Sequence, residues 1–182
     1  MENATNERPE TSEYAPYYER YIALVPAGDV VNTLGQQLED TLAVLGNITE
    51  QQADSRYAPD KWSIKELVGH LIDGERIFSY RALRFARNDQ TPLSGFEQDD
   101  YVANGGFGER RLSDLAEEFA HVRRANLHLL RGLSPEAWLR QGDANGQTIS
   151  VRALAHIIAG HETHHMSILR ERYLSSAQAQ QP

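Results

Sequence analysis

Along four stretches of the chain, apolar residues recur every three or four positions with polar residues between them, the spacing of a helix that buries one face. In residues 29–45 the apolar set is Val30, Val31, Leu34, Leu38, Leu42 and Leu45, and Asp29 stands ahead of it as an acceptor for the first free N–H groups. A longer stretch opens at Ser63, which forms a capping-box pattern with Glu66, and carries Ile64, Leu67, Val68, Leu71, Ile72, Ile77, Phe78 and Leu83 to an end near Asn88. The third begins at Ser113, with Glu117 close behind, and runs through Leu115, Phe119, Val122, Leu127, Leu129 and Leu130 to Gly132. Ser150 opens the fourth, where Val151, Leu154, Ile157, Ile158, Ile168 and Leu169 lead to about Leu174.

No stretch combines β-branched residues with strict alternation, so the pattern predicts an all-α protein with at most a short strand pair in its loops. The expected architecture is a four-helix bundle. A short amphipathic segment at 16–24, stopped by Pro26, adds an extra N-terminal helix that packs as a lid or appendage. Residues 89–110 hold Pro92, Gly95, Gly105, Gly106 and Gly108 without helical period, and form a long loop between the second and third helices. Antiparallel neighbours usually need only roughly 2–8 connecting residues, so this loop is expected to cross the bundle and to line a site.

A length of 182 residues suits one domain. Residues 1–13 and 175–182 are polar and read as flexible tails around a single domain at 14–174. The net charge of −8 and the scattered basic residues exclude a stripe that would follow a phosphate backbone, so no nucleic-acid partner is expected. No apolar run approaches the roughly 20 residues of a membrane span. The N-terminal Glu2, Glu7 and Glu10 are unlike an export signal, so the expected compartment is cytoplasmic. With no cysteine, the chain has no thiolate ligand or sulfur nucleophile of its own, and thiol chemistry would need an external low-molecular-weight thiol.

The strongest chemical signal lies in the fourth helix, where His156, His161, His164 and His165 fall within ten residues. At about 100° per residue, His161 and His165 share one face one turn apart, able to hold a single metal ion. His164 is the rival second ligand and fits the rim better. Two imidazoles leave a zinc-like ion half-coordinated, and His70, amid apolar neighbours on the second helix, is the best third ligand. Small residues at Gly69 and Gly160, each just before a histidine, would let the helices approach closely, or serve packing alone. His121, His128 and His156 read as surface or packing residues.

Three neutral imidazoles suit Zn2+ or Ni2+, with Fe2+ or Co2+ also compatible, and three protein ligands leave a position open for water or substrate. His161-Glu162-Thr163-His164-His165 also satisfies H-E-x-x-H, in which the glutamate of a zinc peptidase activates water. The metzincin extension and a substrate-binding sheet are missing, so a peptidase is the weaker reading.

From about residue 61 to 174 the chain resembles the DinB/YfiT-like family of metal-binding four-helix bundles. The resemblance rests on Lys61-Trp62-Ser63-Ile64-Lys65-Glu66-Leu67-Val68-Gly69-His70-Leu71, on Asp73-Gly74-Glu75-Arg76, on Phe96-Glu97-Gln98-Asp99-Asp100-Tyr101, and on His161-Glu162-Thr163-His164-His165-Met166-Ser167-Ile168-Leu169. It implies metal ligands at His70, His161 and His165, and activity as a metal-dependent hydrolase or a thiol-dependent transferase on a small-molecule substrate. Asp73 and Glu162 are the candidate catalytic residues. Each has a structural alternative: Asp73 as acceptor for a ligand imidazole, and Glu162 as a solvated charge or a partner of an arginine such as Arg170 or Arg172. The segment from Phe96 to Tyr101 would cover the pocket. The alternative from another class is a non-catalytic metal-binding or stress-associated bundle, and an exposed apolar stripe would permit a homodimer.

Overall fold

The computed structural model of the protein describes residues 7–175. Two 3-10 turns, Thr11–Glu13 and Pro16–Tyr18, lead into α1 (Glu19–Ile22). There follow α2 (Val30–Leu45), α3 (Glu50–Ala53), α4 (Ile64–Ala86), α5 (Gln98–Asn104), α6 (Leu112–Arg131) and α7 (Pro135–Leu139). A hairpin of β1 (Gln141–Ala144) and β2 (Gln147–Ser150) then feeds α8 (Val151–Ile168), which continues through the π-helical turn Leu169–Leu174.

Three of the four long helices start where their own side chains cap them. Asp29 accepts from the Val31 and Asn32 N–H groups, Ser63 and Glu66 cap each other's backbone, and Ser150 accepts from Ala153 N–H. The start of α6 differs from the expected Ser113. Arg111 occupies the N-cap position without a side-chain bond, and Leu112 N–H donates to Glu50 Oε1 in α3 at 2.9 Å. The same Glu50 carboxylate sits 3.1 Å from Lys65 Nζ, so one acid ties α3, α4 and α6 together.

Both α2 and α4 pack against α6 and α8, which places α2 diagonally across from α4. Tyr173 Oη donates to the Trp62 carbonyl beside the start of α4, while Arg140 reaches the Ala86 carbonyl at its end, so α4 and α8 run antiparallel. Thr41 with Glu162 and Gln37 with Ala159 set α2 parallel to α8. Glu75 with Arg123, together with Leu112 at the Glu50 and Lys65 end, sets α4 parallel to α6. Parallel neighbours require a connection that travels the whole length of the bundle, which is the physical reason for the long loop.

On its way back along α4 the loop pairs Leu93 with Ala144 of β1, gives its Ser94 carbonyl to Arg81, and seats Phe107 on Gly69. It also contains α5, where no helix was expected. Only Val102 is buried among the seven residues of α5, too few apolar positions to show a period.

Two apolar clusters make the core. One gathers Ile22, Leu34, Phe85, Trp138, Leu154 and Ile157, and the other Ile64, Leu67, Ile72, Leu115, Phe119 and Leu169. Polar side chains are buried as well, among them Glu75, Arg123, Glu162, His70, His161 and His165.

Two sequence expectations need correction. The part of the N-terminal tail that the structure describes, residues 7–13, is fastened. Arg8 donates to the Ile22 and Val25 carbonyls at 2.7 Å, and Glu13 is buried against Arg152 and the Ser150 hydroxyl. Residues 1–6, and residues 176–182 of the C-terminal tail, lie outside the described residues. The Ser175 hydroxyl donates to the Arg170 carbonyl at 2.8 Å. Nor is the segment at 16–24 an appendage. It is wedged against α8, where a Cβ on Gly160 would stand 2.0 Å from the Tyr21 carbonyl oxygen. Among the described residues, no helix is long and apolar enough to cross a membrane.

Candidate metal centre

His70 points from the middle of α4 toward α8, and His161 and His165, one turn apart on α8, point back. One ring nitrogen from each of the three lies within 4.8 Å of the others, and all three residues are buried. His70 Nε2 and His161 Nε2 are 2.9 Å apart. Ligand nitrogens of a single tetrahedral ion stand roughly 3.3 Å apart when each bond is about 2.0–2.1 Å, so this spacing fits one small cation.

The electrostatics point the same way. Burial pushes the His70 pKa down to about 4. Burial, reinforced by the neighbouring His70 and His164, takes that of His165 down to about 3. Burial, with His165, His70 and His164 close by, takes that of His161 well below its ordinary value. All three imidazoles are therefore neutral at pH 7 and present lone pairs, which is the state that binds metal.

The surroundings are aromatic. Trp62 packs on His70 with centroids 4.7 Å apart and on His165 at 6.3 Å, and Tyr21 meets His161 edge-on at 5.3 Å. A cavity of about 460 Å³ opens on the His70 and His161 side, walled by Tyr17, Tyr18, Tyr21, Phe78 and Phe96. A second, of about 530 Å³, opens on the His165 side against Tyr57, Trp62 and Tyr173. Gln98 and Asp99 line both. The segment from Phe96 thus covers the site as its sequence suggested, though Tyr101 lies in a third groove with Asp73, Asp100 and Phe107.

Both candidate catalytic acids are placed elsewhere. Asp73 lines that third groove and neither cavity at the histidines, and burial raises its pKa against the pull of Arg76. Glu162 is not solvated and takes the alternative of an arginine pair, with Arg123 as its partner. It lies 100° around the helix from His161 and is buried, accepting from Thr41 Oγ1 at 2.6 Å and ion-paired with Arg123 Nη2 at 2.7 Å. Burial raises its pKa, with Arg123 and Thr41 opposing. Arg123 in turn makes two bonds to Glu75, at 2.7 and 2.8 Å, and one to the Leu34 carbonyl at 3.0 Å. The glutamate of the H-E-x-x-H string therefore joins a four-helix anchor and is not one of the clustered donors.

Of the remaining histidines, His164 sits half-buried at the rim, 5.0 Å from His165 and 5.5 Å from Tyr21 between ring centroids. His156 is buried with Nδ1 3.0 Å from the Arg152 carbonyl oxygen, and His121 and His128 are exposed. The glycines next to the ligands do not serve the α4–α8 contact. Gly69 makes room for the Phe107 ring and Gly160 for the Tyr21 main chain, whereas Gly74 is the glycine facing His161. Sequence reading missed the walls. The crowding of Tyr14, Tyr17, Tyr18 and Tyr21 near the N-terminus was the signal available for them.

Comparison with known proteins agrees with this geometry. A protein from Bacillus pumilus (strain SAFR-032) named "Putative metal-dependent hydrolase" is 26% identical over 151 residues, covering 79% of this chain and 81% of its own. A solved structure described as "YfiT from Bacillus subtilis is a probable metal-dependent hydrolase with an unusual four-helix bundle topology" superposes with a TM-score of 0.70. That match spans 96% of this chain and 98% of the other at 16% identity, and shows a shared fold. The family model of the DinB superfamily matches residues 33–169, which takes in all three clustered histidines, and the chain belongs to that superfamily.

Proposed function

We propose that this chain is a metal-dependent hydrolase acting on a small organic substrate, with His70, His161 and His165 holding one divalent ion, of which Zn2+ and Ni2+ are the first to test. The observation that carries the reading is the convergence of three buried, neutral imidazoles between two cavities. When bound, the ion supplies Lewis acidity that makes water, or an external thiol, nucleophilic near neutral pH. The chain's own residues do the rest. Trp62 and Tyr21 exclude bulk water from two sides of the histidines. Asp99, which lines both cavities, is the candidate acceptor for the proton that the nucleophile gives up. Arg123 and Glu162 fix the position of α8, and so the direction of both its ligands.

The second cavity favours a second reading, thiol-dependent transfer, because a nucleophile on the His165 side and an electrophile on the His161 side would meet at the triad. A panel of esters, amides and alkylating electrophiles, run on zinc- and nickel-loaded protein with and without low-molecular-weight thiols, separates the two. Turnover without thiol supports hydrolysis, and turnover only with thiol supports transfer. Rates equal to those of His165→Ala protein throughout would make the bundle a metal-binding module without catalysis.

A further inference from the structure

The cavity beside His161 has a composition that narrows what enters it. Tyr17, Tyr18, Phe78, His161 and Tyr21 form a closed circuit of rings, with successive centroids 5.4, 6.2, 5.9, 5.3 and 6.2 Å apart and every pair edge-to-face. Phe96 faces them from the loop. The charged side chains lining this space are Glu97 and Asp99, both exposed, and neither lysine nor arginine is among the described residues that line it. Tyr17, 57% exposed, puts an aromatic surface at the open side.

Ring faces carry negative electrostatic potential and attract cations, most strongly when water is partly excluded. The protein's own guanidinium groups already use these rings. Arg20, which does not line the cavity, lies 3.9 Å from the Tyr17 centroid, and Arg81 lies 5.9 and 6.0 Å from those of Phe78 and Phe96. In the metal-free protein, a carboxylate or phosphate entering the cavity would meet two carboxylates and no lysine or arginine among the described lining residues. A neutral apolar molecule would gain from the rings and nothing from the acids.

We infer that the cavity takes an organic cation, a small amine or quaternary ammonium compound, seated against the tyrosines and Glu97 with its reactive end toward the histidines. This rests on the functional reading only for the orientation, because the binding itself needs no metal. The test is titration of the full chain, metal-free and zinc-loaded, with choline, its neutral isostere 3,3-dimethylbutan-1-ol, and the anion pivalate, followed by calorimetry and by NMR of the tyrosine rings.

Choline is expected to saturate at least roughly tenfold more tightly than the isostere, with pivalate weaker still. Glu97→Gln and Tyr18→Ala should each weaken choline several-fold, and Tyr18→Phe should restore it. Equal binding of choline and isostere, preference for pivalate, or no saturation by choline would overturn the inference. Turnover of neutral substrates together with any of those results would leave the hydrolase reading standing. Selective choline binding without turnover of any substrate would leave the cavity assignment standing alone.

Discussion

Replacing Arg123 with methionine removes one side chain that touches all four long helices. Its guanidinium is 1% exposed and serves Glu75 on α4, Glu162 on α8 and the Leu34 carbonyl on α2, while its own backbone belongs to α6. Methionine fills much of the volume, so the loss comes mainly from charge. Two buried carboxylates keep their places without a counter-ion, and a buried pair broken on one side costs about 3–5 kcal/mol. For a chain of this size each kcal/mol lowers the melting temperature by about 2–4 °C, which gives a fall of about 6–20 °C. Urea titration and thermal melts followed by far-UV circular dichroism measure it. The reasoning also requires that a triple variant, Arg123→Met with Glu75→Gln and Glu162→Gln, recover part of the loss, because the stranded charges are then gone. A loss below about 1 kcal/mol in the single variant, or a triple variant no more stable than the single, would refute it.

Removing any one of the clustered imidazoles, as in His70→Ala, His161→Ala or His165→Ala, should weaken metal retention by more than roughly 100-fold, while His121→Ala leaves it unchanged. Elemental analysis after dialysis against a graded chelator decides this. Gly160→Ala should destabilise by about 1–3 kcal/mol or more, since the new methyl would stand 2.0 Å from the Tyr21 carbonyl oxygen and must push α1 away. Unaltered melts and unaltered tyrosine fluorescence would contradict that. In the metal-free protein, His70 and His165 titrate at about 4 and about 3 when folded, against 6.5 for a free histidine. Below pH 6.5 the unfolded chain therefore binds protons that the folded one refuses, and stability is lost as pH falls toward those folded values. His70→Leu should show a flatter slope over that range, and equal slopes in denaturation series at successive pH values would exclude the account.

What could be read in advance follows the range of the forces involved. Asp29, Ser63 with Glu66, and Ser150 cap their helices from within three residues, so those starts were legible. The first N–H of α6 is satisfied by Glu50, 62 residues away, and no local pattern reveals such a partner. His161 and His165 are legible because helical periodicity alone puts them on one face, and His70 because its neighbours are apolar. Which arginine Glu162 meets was not legible, for the complementary reason. The spacing of H-E-x-x-H fixes where two histidines point but leaves the direction of the glutamate to the bundle, and here α2 and α6 claim it. The parallel course of α4 and α6 was visible only as the unusual length of the segment between them.

The fastening of Glu13 to Ser150 and Arg152 spans 137 and 139 positions of sequence. Because Tyr17, Tyr18 and Tyr21 follow directly from that fastening, the chamber is completed by segments far apart in the sequence. During synthesis, Tyr21 has no His161 to meet and Glu13 no Arg152 until α8 has left the ribosome, so the cavity beside His161 closes as a late event in folding. Proteolysis that removed residues 11–22 would open the cavity beside His161 and also strip Tyr14 and Ile22 from the core.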